Sequence, residues 1–67
     1  MKNKVYIKER YEIFVNDCEI GTTNSFKEAK RVAELLEWAI KAEELGDYPI
    51  MFEIVDQLNK EGYHATW

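Results

Sequence analysis

Between Ser25 and Leu45 the apolar residues recur with helical spacing, in the longest periodic stretch of the chain. Stepping about 100° per residue puts Ala29, Val32, Ala33, Leu36, Ala39 and Ile40 on one arc, with Phe26 at its edge. Leu35, Trp38, Ala42 and Leu45 fall on an adjoining sector, and Lys27, Lys30, Glu34, Glu37 and Lys41 fill the rest. Ser25 followed by Glu28 fits a capping box, and Gly46 stops the helix. A surface helix on a single sheet needs one apolar stripe. This helix has two, so the pattern predicts contact with a second layer, formed by the chain itself or by a partner.

A different rhythm precedes the helix. From Val5 to Val15 the odd positions read Val, Ile, Glu, Tyr, Ile, Val, an alternation broken only by Glu9. This predicts one long strand or two collinear ones. Asn16 and Asp17 then form a turn, and Cys18 to Thr22 alternate with apolar residues at even positions. A two-residue hairpin loop at Asn16–Asp17 would pair Val15 with Cys18, Ile13 with Ile20 and Tyr11 with Thr22, bringing the apolar residues of both strands to one face. That register leaves Lys4 to Glu9 without a partner. The alternation of Tyr63, Ala65 and Trp67 predicts a short C-terminal strand to fill the place, against the N-terminal half of the first strand.

The segment between Gly46 and Gly62 predicts a second helix over about 49–61. Pro49 suits the first helical position, with a non-helical residue before it, and Gly62 suits the C-cap. Ile50, Met51, Ile54, Val55 and Leu58 share one arc, Glu53, Asp56, Gln57 and Lys60 lie opposite, and Phe52 stands at the border. The expected architecture is therefore a single α+β domain over residues 1–67, with the order ββααβ.

Length and charge refine this picture. A chain of 67 residues buries only roughly 60% of its unfolded surface, so stability is marginal and a staple or partner would help. Cys18 is the single cysteine and cannot form an internal disulfide, and no cysteine–histidine cluster offers a zinc site. The opening MKNKVYIKER lacks the apolar core of a signal peptide, and no run approaches a membrane span, which predicts a cytoplasmic protein. The net charge of −4 is unevenly spread. Lys2, Lys4, Lys8 and Arg10 face only Glu9 in the first ten residues, whereas residues 34–61 carry eight acids against Lys41 and Lys60. The acidic helical layer disfavours nonspecific nucleic-acid binding there and would attract a basic partner.

Catalytic chemistry finds little purchase. A Cys18–His64 pair would need a third group to orient the histidine, while Cys18 falls on the expected core face, where a lone cysteine acts as a small hydrophobe. The carboxylates fall into helical pairs with lysine four residues apart, such as Asp56 and Lys60, which reads as surface pairing. Gly21, Gly46 and Gly62 are accounted for by turns and caps, so no phosphate loop remains. No cofactor and no enzymatic activity are expected.

Two binding surfaces remain. Trp38 and Phe52 lie beside the core arcs, amid Glu34, Glu43, Glu44, Asp47, Glu53 and Asp56, and apolar anchors ringed by acids could dock on a basic protein surface. Trp38 also fits a plain helix–helix contact. Alternatively, the even positions Lys4, Tyr6, Lys8, Arg10 and Phe14 place cations and aromatics on the sheet face away from the helices, a pattern suited to nucleic acid, although Glu12 shares that face. In size and charge alone, the chain resembles the small acidic proteins that bacteriophages and mobile elements encode to block a host enzyme. The resemblance implies a protein-binding inhibitor or modulator, with a homodimer through the Trp38 sector as a further possibility.

Overall fold

In a computed structural model that describes residues 4–65, three strands precede two helices: β1 (Val5–Lys8), β2 (Glu12–Val15), β3 (Cys18–Thr22), α1 (Phe26–Glu44) and α2 (Tyr48–Lys60). The strands form one antiparallel sheet in the order β1-β2-β3. The class is α+β, and the order is βββαα instead of the expected ββααβ.

The expected long strand folds back on itself. A single 3-10 turn at Glu9–Tyr11 separates β1 from β2, and the two pair as Val5 with Val15, Tyr6 with Phe14, Ile7 with Ile13 and Lys8 with Glu12. A loop of three residues keeps odd positions paired with odd, so a hairpin and a continuous strand leave the same alternation in the sequence. Lys4 to Lys8 therefore needs no C-terminal partner, because β2 supplies it.

The Asn16–Asp17 turn stands where expected, and Val15 pairs with Cys18. A bulge between Ile13 and Phe14 then shifts the register, so that Ile13 pairs with Gly21 and Glu12 with Thr22, in place of the expected Ile20 and Tyr11 pairings. Ile20 is fully buried, while Cys18, expected in the core, is exposed at the hairpin tip.

The C-terminal segment forms no strand among the described residues. It crosses β3, where the His64 amide donates to the Ile20 carbonyl at 2.7 Å, and the Ala65 amide donates to Asn59 Oδ1 at 3.0 Å. Trp67, which the expected strand included, lies outside the described residues. Tyr63 fills the space left by Gly21: a methyl group there would lie 2.5 Å from Cδ1 of the Tyr63 ring.

Both helices end by the same local device. The Gly46 amide donates to Glu43 O and the Asp47 amide to Ala42 O, and Gly62 and Tyr63 repeat the pattern on Asn59 and Leu58. These are Schellman motifs, and each needs the left-handed glycine it has, with φ of +79° at Gly46 and +100° at Gly62. At the start of α1 the Glu28 amide donates to Ser25 Oγ at 3.4 Å, while the Glu28 carboxylate is held by Arg31 and Tyr63. Helix α2 begins at Tyr48, one residue before Pro49, whose missing amide hydrogen falls in the first turn where it has no helical acceptor.

The core is continuous. Ile13, Val15 and Ile20 of the sheet meet Ala29, Val32, Leu36 and Ala39 of α1 and Leu58 of α2, with Val5, Ile7 and Tyr63 packed at the edge. Helix α1 touches β1 and β2 on one flank and α2 on another, as its two stripes require.

Candidate functional site

The second stripe of α1 is only partly covered. Ala42 is buried and Leu35 half-buried, whereas Trp38 remains 59% exposed and Leu45 stands in solvent. Leu35 and Trp38 of α1 stand opposite Ile50 and Ile54 of α2 with space left between them. The result is a groove of about 590 Å³ between the helices. Leu35, Trp38, Ile50 and Ile54 give it an apolar lining, and Glu53, Asp56, Gln57 and Lys60 give it a polar one. Asp56 and Lys60 pair at 3.0 Å across one turn of α2.

The expected site residues separate into three places. Trp38, Glu53 and Asp56 come together at the groove, with Glu34 exposed one turn before Trp38 on α1. Glu43, Glu44 and Asp47 cluster instead around the turn from α1 to α2, with Glu44 exposed and the other two half-buried. Phe52 is 62% exposed, and helical geometry puts it about 160° around α2 from Ile50, outside the groove. Phe52 is thus exposed beside the groove's acidic edge, one turn before Asp56, without contributing to the lining.

Ile50, Gln57 and Lys60 belong to the groove and were not assigned to a site by sequence. Ile50 shares the core arc of α2 in the sequence, yet it is exposed. It lies at the end of that arc, and the spacing 50, 54, 57 marks a second line along α2, which carried the signal.

A polar clamp closes the other end of the helix pair. Arg31 donates from Nε to Glu28 Oε1 at 2.9 Å and from Nη2 to Glu28 Oε2 at 2.7 Å, and it also bonds Glu61, whose carboxylate accepts from Gln57 Nε2 at 2.7 Å. Tyr63 OH donates to Glu28 Oε2 at 3.1 Å. The Arg31 guanidinium pulls the Glu28 carboxyl from 4.5 to about 2, aided by Tyr63 against some desolvation. Hydrogen bonds from Gln57 and then Arg31 lower the Glu61 carboxyl, the two carboxylates raise Arg31, and burial together with Glu28 raises the Tyr63 phenol. These shifts describe a structural fastening of α1 to α2 and the C-terminal segment.

On the opposite side of the sheet, Tyr6 and Phe14 stack with ring centroids 5.3 Å apart and planes 3° from parallel. Lys8 Nζ lies 4.6 Å from the Phe14 centroid and 6.0 Å from that of Tyr6. The expected interleaving of cation and aromatic is present at these three residues, while Arg10 belongs to the turn and Lys4 precedes β1.

Among the described residues no group of three or more His, Cys, Asp or Glu is placed to hold a metal ion, and no helix is long and apolar enough to cross a membrane. No family model, no curated protein and no solved structure matches this chain.

Proposed function

We propose that this protein is a non-catalytic binding module that docks on a larger protein through the groove between α1 and α2. The observation that carries this reading is Trp38, a large apolar side chain left 59% exposed over a groove with further apolar lining from Leu35, Ile50 and Ile54. Tryptophan in such a position supplies much of the binding energy at protein interfaces. Glu53 and Asp56 at the groove, with Glu34 nearby, favour a basic partner over an acidic one. An inserted apolar side chain flanked by lysine or arginine matches that chemistry. In this reading the partner is a larger host protein, and the carboxylates compete for the basic surfaces on which nucleic-acid-processing enzymes hold phosphates, so docking inhibits or modulates the enzyme.

The test is affinity capture from a lysate, comparing the wild-type chain with Trp38→Ala, with the double variant Glu53→Lys/Asp56→Lys, and with Phe52→Ala as an exposed aromatic control outside the groove lining. The expected result is a partner retained by wild type and Phe52→Ala and lost by the other two. Equal capture by all four chains would overturn the reading. A monomer–dimer equilibrium abolished by Trp38→Ala would instead assign the groove to a second copy.

A further inference from the structure

The end of the molecule where the β1–β2 turn meets the start of α1 differs from the groove in charge and in backbone strain. Arg10 (φ +63°, ψ +21°) and Tyr11 (φ +58°) are successive non-glycine residues in the left-handed region. Glycine or asparagine would take these positions at lower cost, and strain of this kind persists only where neighbouring structure enforces it. The enforcing contacts are present. The Tyr11 carbonyl accepts from the Thr23 amide at 3.3 Å, and the Tyr11 ring leans on Phe26, with centroids 6.1 Å apart at 54°.

What the strained turn displays is an exposed Arg10 beside two accessible rings, Phe26 at 58% and Tyr11 at 37% exposure. Lys27 follows Phe26 directly and Lys30 comes one helical turn later, both exposed. Glu9 and Glu12 are the acids of the turn and the strand it enters, and the Glu28 carboxylate is taken up by Arg31 and Tyr63. Cations therefore outnumber free carboxylates here, in a chain whose net charge is −4.

We propose that this end is a contact surface for single-stranded nucleic acid, with Phe26 and Tyr11 receiving unpaired bases and Arg10, Lys27 and Lys30 receiving phosphates. Exposed rings with flanking cations suit bases whose faces are free, which a duplex hides. An acidic peptide would need the cations and leave the rings without a role. The surface lies at the start of α1, about three helical turns from Trp38, and shares no residue with the groove lining.

The experiment is fluorescence anisotropy with a labelled short oligothymidylate, its RNA counterpart, a duplex and a polyglutamate peptide at low salt. The expected result is single-strand binding in the micromolar range, at least about tenfold weaker for the duplex. Roughly three phosphate contacts predict a log–log salt slope of about −2. Arg10→Gly relaxes the turn, so it should raise the melting temperature while weakening single-strand binding about fivefold or more. Lys27→Gln/Lys30→Gln, at exposed helix positions, should weaken binding comparably without touching the turn. Absence of single-strand binding at roughly 100 μM protein would overturn the proposal, since phosphate contacts are strongest at low salt. So would duplex or polyglutamate binding as tight as the single strand, or unchanged affinity in the lysine double variant.

Discussion

Helix α1 presents two apolar flanks that meet different fates. On the flank facing the sheet, Ala29, Val32, Leu36 and Ala39 are entirely buried; on the flank facing α2, burial fails at Trp38 although the larger side chain is there. Residue size therefore does not decide which flank is sealed. The sheet contributes Ile13, Val15 and Ile20, all fully buried, whereas α2 contributes Met51, Ile54 and Leu58 to the same core and leaves the indole 59% exposed. The sealed flank does the work of folding, and the open one is free for docking.

Truncating a side chain on each flank separates the two roles. Leu36 and Trp38 lie two residues apart on one helix. Leu36→Ala removes a fully buried side chain and should cost about 2–5 kcal/mol, enough to unfold much of a domain this small. Trp38→Ala removes more atoms and should cost under about 1 kcal/mol, because its surface is already largely in water. Urea denaturation of the two variants reads both values. A Trp38 cost equal to that of Leu36 would mean that the indole is part of the folding core.

The two flanks were unequally legible in the sequence. The helices could be read almost residue by residue because their signals are local: Ser25 and Glu28 at the start of α1, Gly46 and Gly62 at the ends, and the spacing between them. The turn at Glu9–Tyr11 left no such mark, since Arg10 and Tyr11 occupy positions where glycine or asparagine would have announced a hairpin. A three-residue loop also preserved the odd-position alternation, so the pattern could not separate one strand from two. The C-terminal alternation misled for another reason. Tyr63 points inward as the plug for Gly21, a long-range contact that neither residue reveals alone. At the groove, Trp38 and Leu35 are visible as a second stripe, but the opposition of Ile50 to them depends on how the two helices pack.

That plug gives the next test, of how far the sealed flank depends on the C-terminal segment. Gly21→Ala places a methyl group 2.5 Å from the Tyr63 ring, so the ring must move. Overpacking of this kind should cost about 1–3 kcal/mol. Tyr63→Ala in the same chain removes the clash, and the double variant should be less destabilised than the sum of the two singles. Additive costs in urea would show that the ring and Gly21 do not compete for the same space.

A smaller effect is expected at the clamp that fastens the start of α1 to the C-terminal end of α2. Its sign follows from Glu28, whose carboxyl titrates at about 2 in the folded chain against an ordinary 4.5. A carboxyl depressed by folding favours the folded state whenever it is ionised, so the contribution is complete above the unfolded value and fades as pH falls from about 4.5 towards 2. Glu61, lowered by Gln57 and Arg31, acts in the same direction. Both carboxylates are partly exposed and Arg31 more so, so screening by solvent and salt keeps the contribution modest. Arg31→Met removes the cation while keeping much of the apolar stem. Its denaturation midpoint should fall below that of wild type near neutral pH, and the two should converge as the pH approaches 2. Trp38 touches neither Glu28 nor Glu61 through any hydrogen bond, and the groove shares only Gln57 with the clamp, so the shift caused by Trp38→Ala should depend on pH far less than that of Arg31→Met. A gap between wild type and Arg31→Met that stays constant down to pH 2 would assign the role of Arg31 to its packing, with no share for its charge.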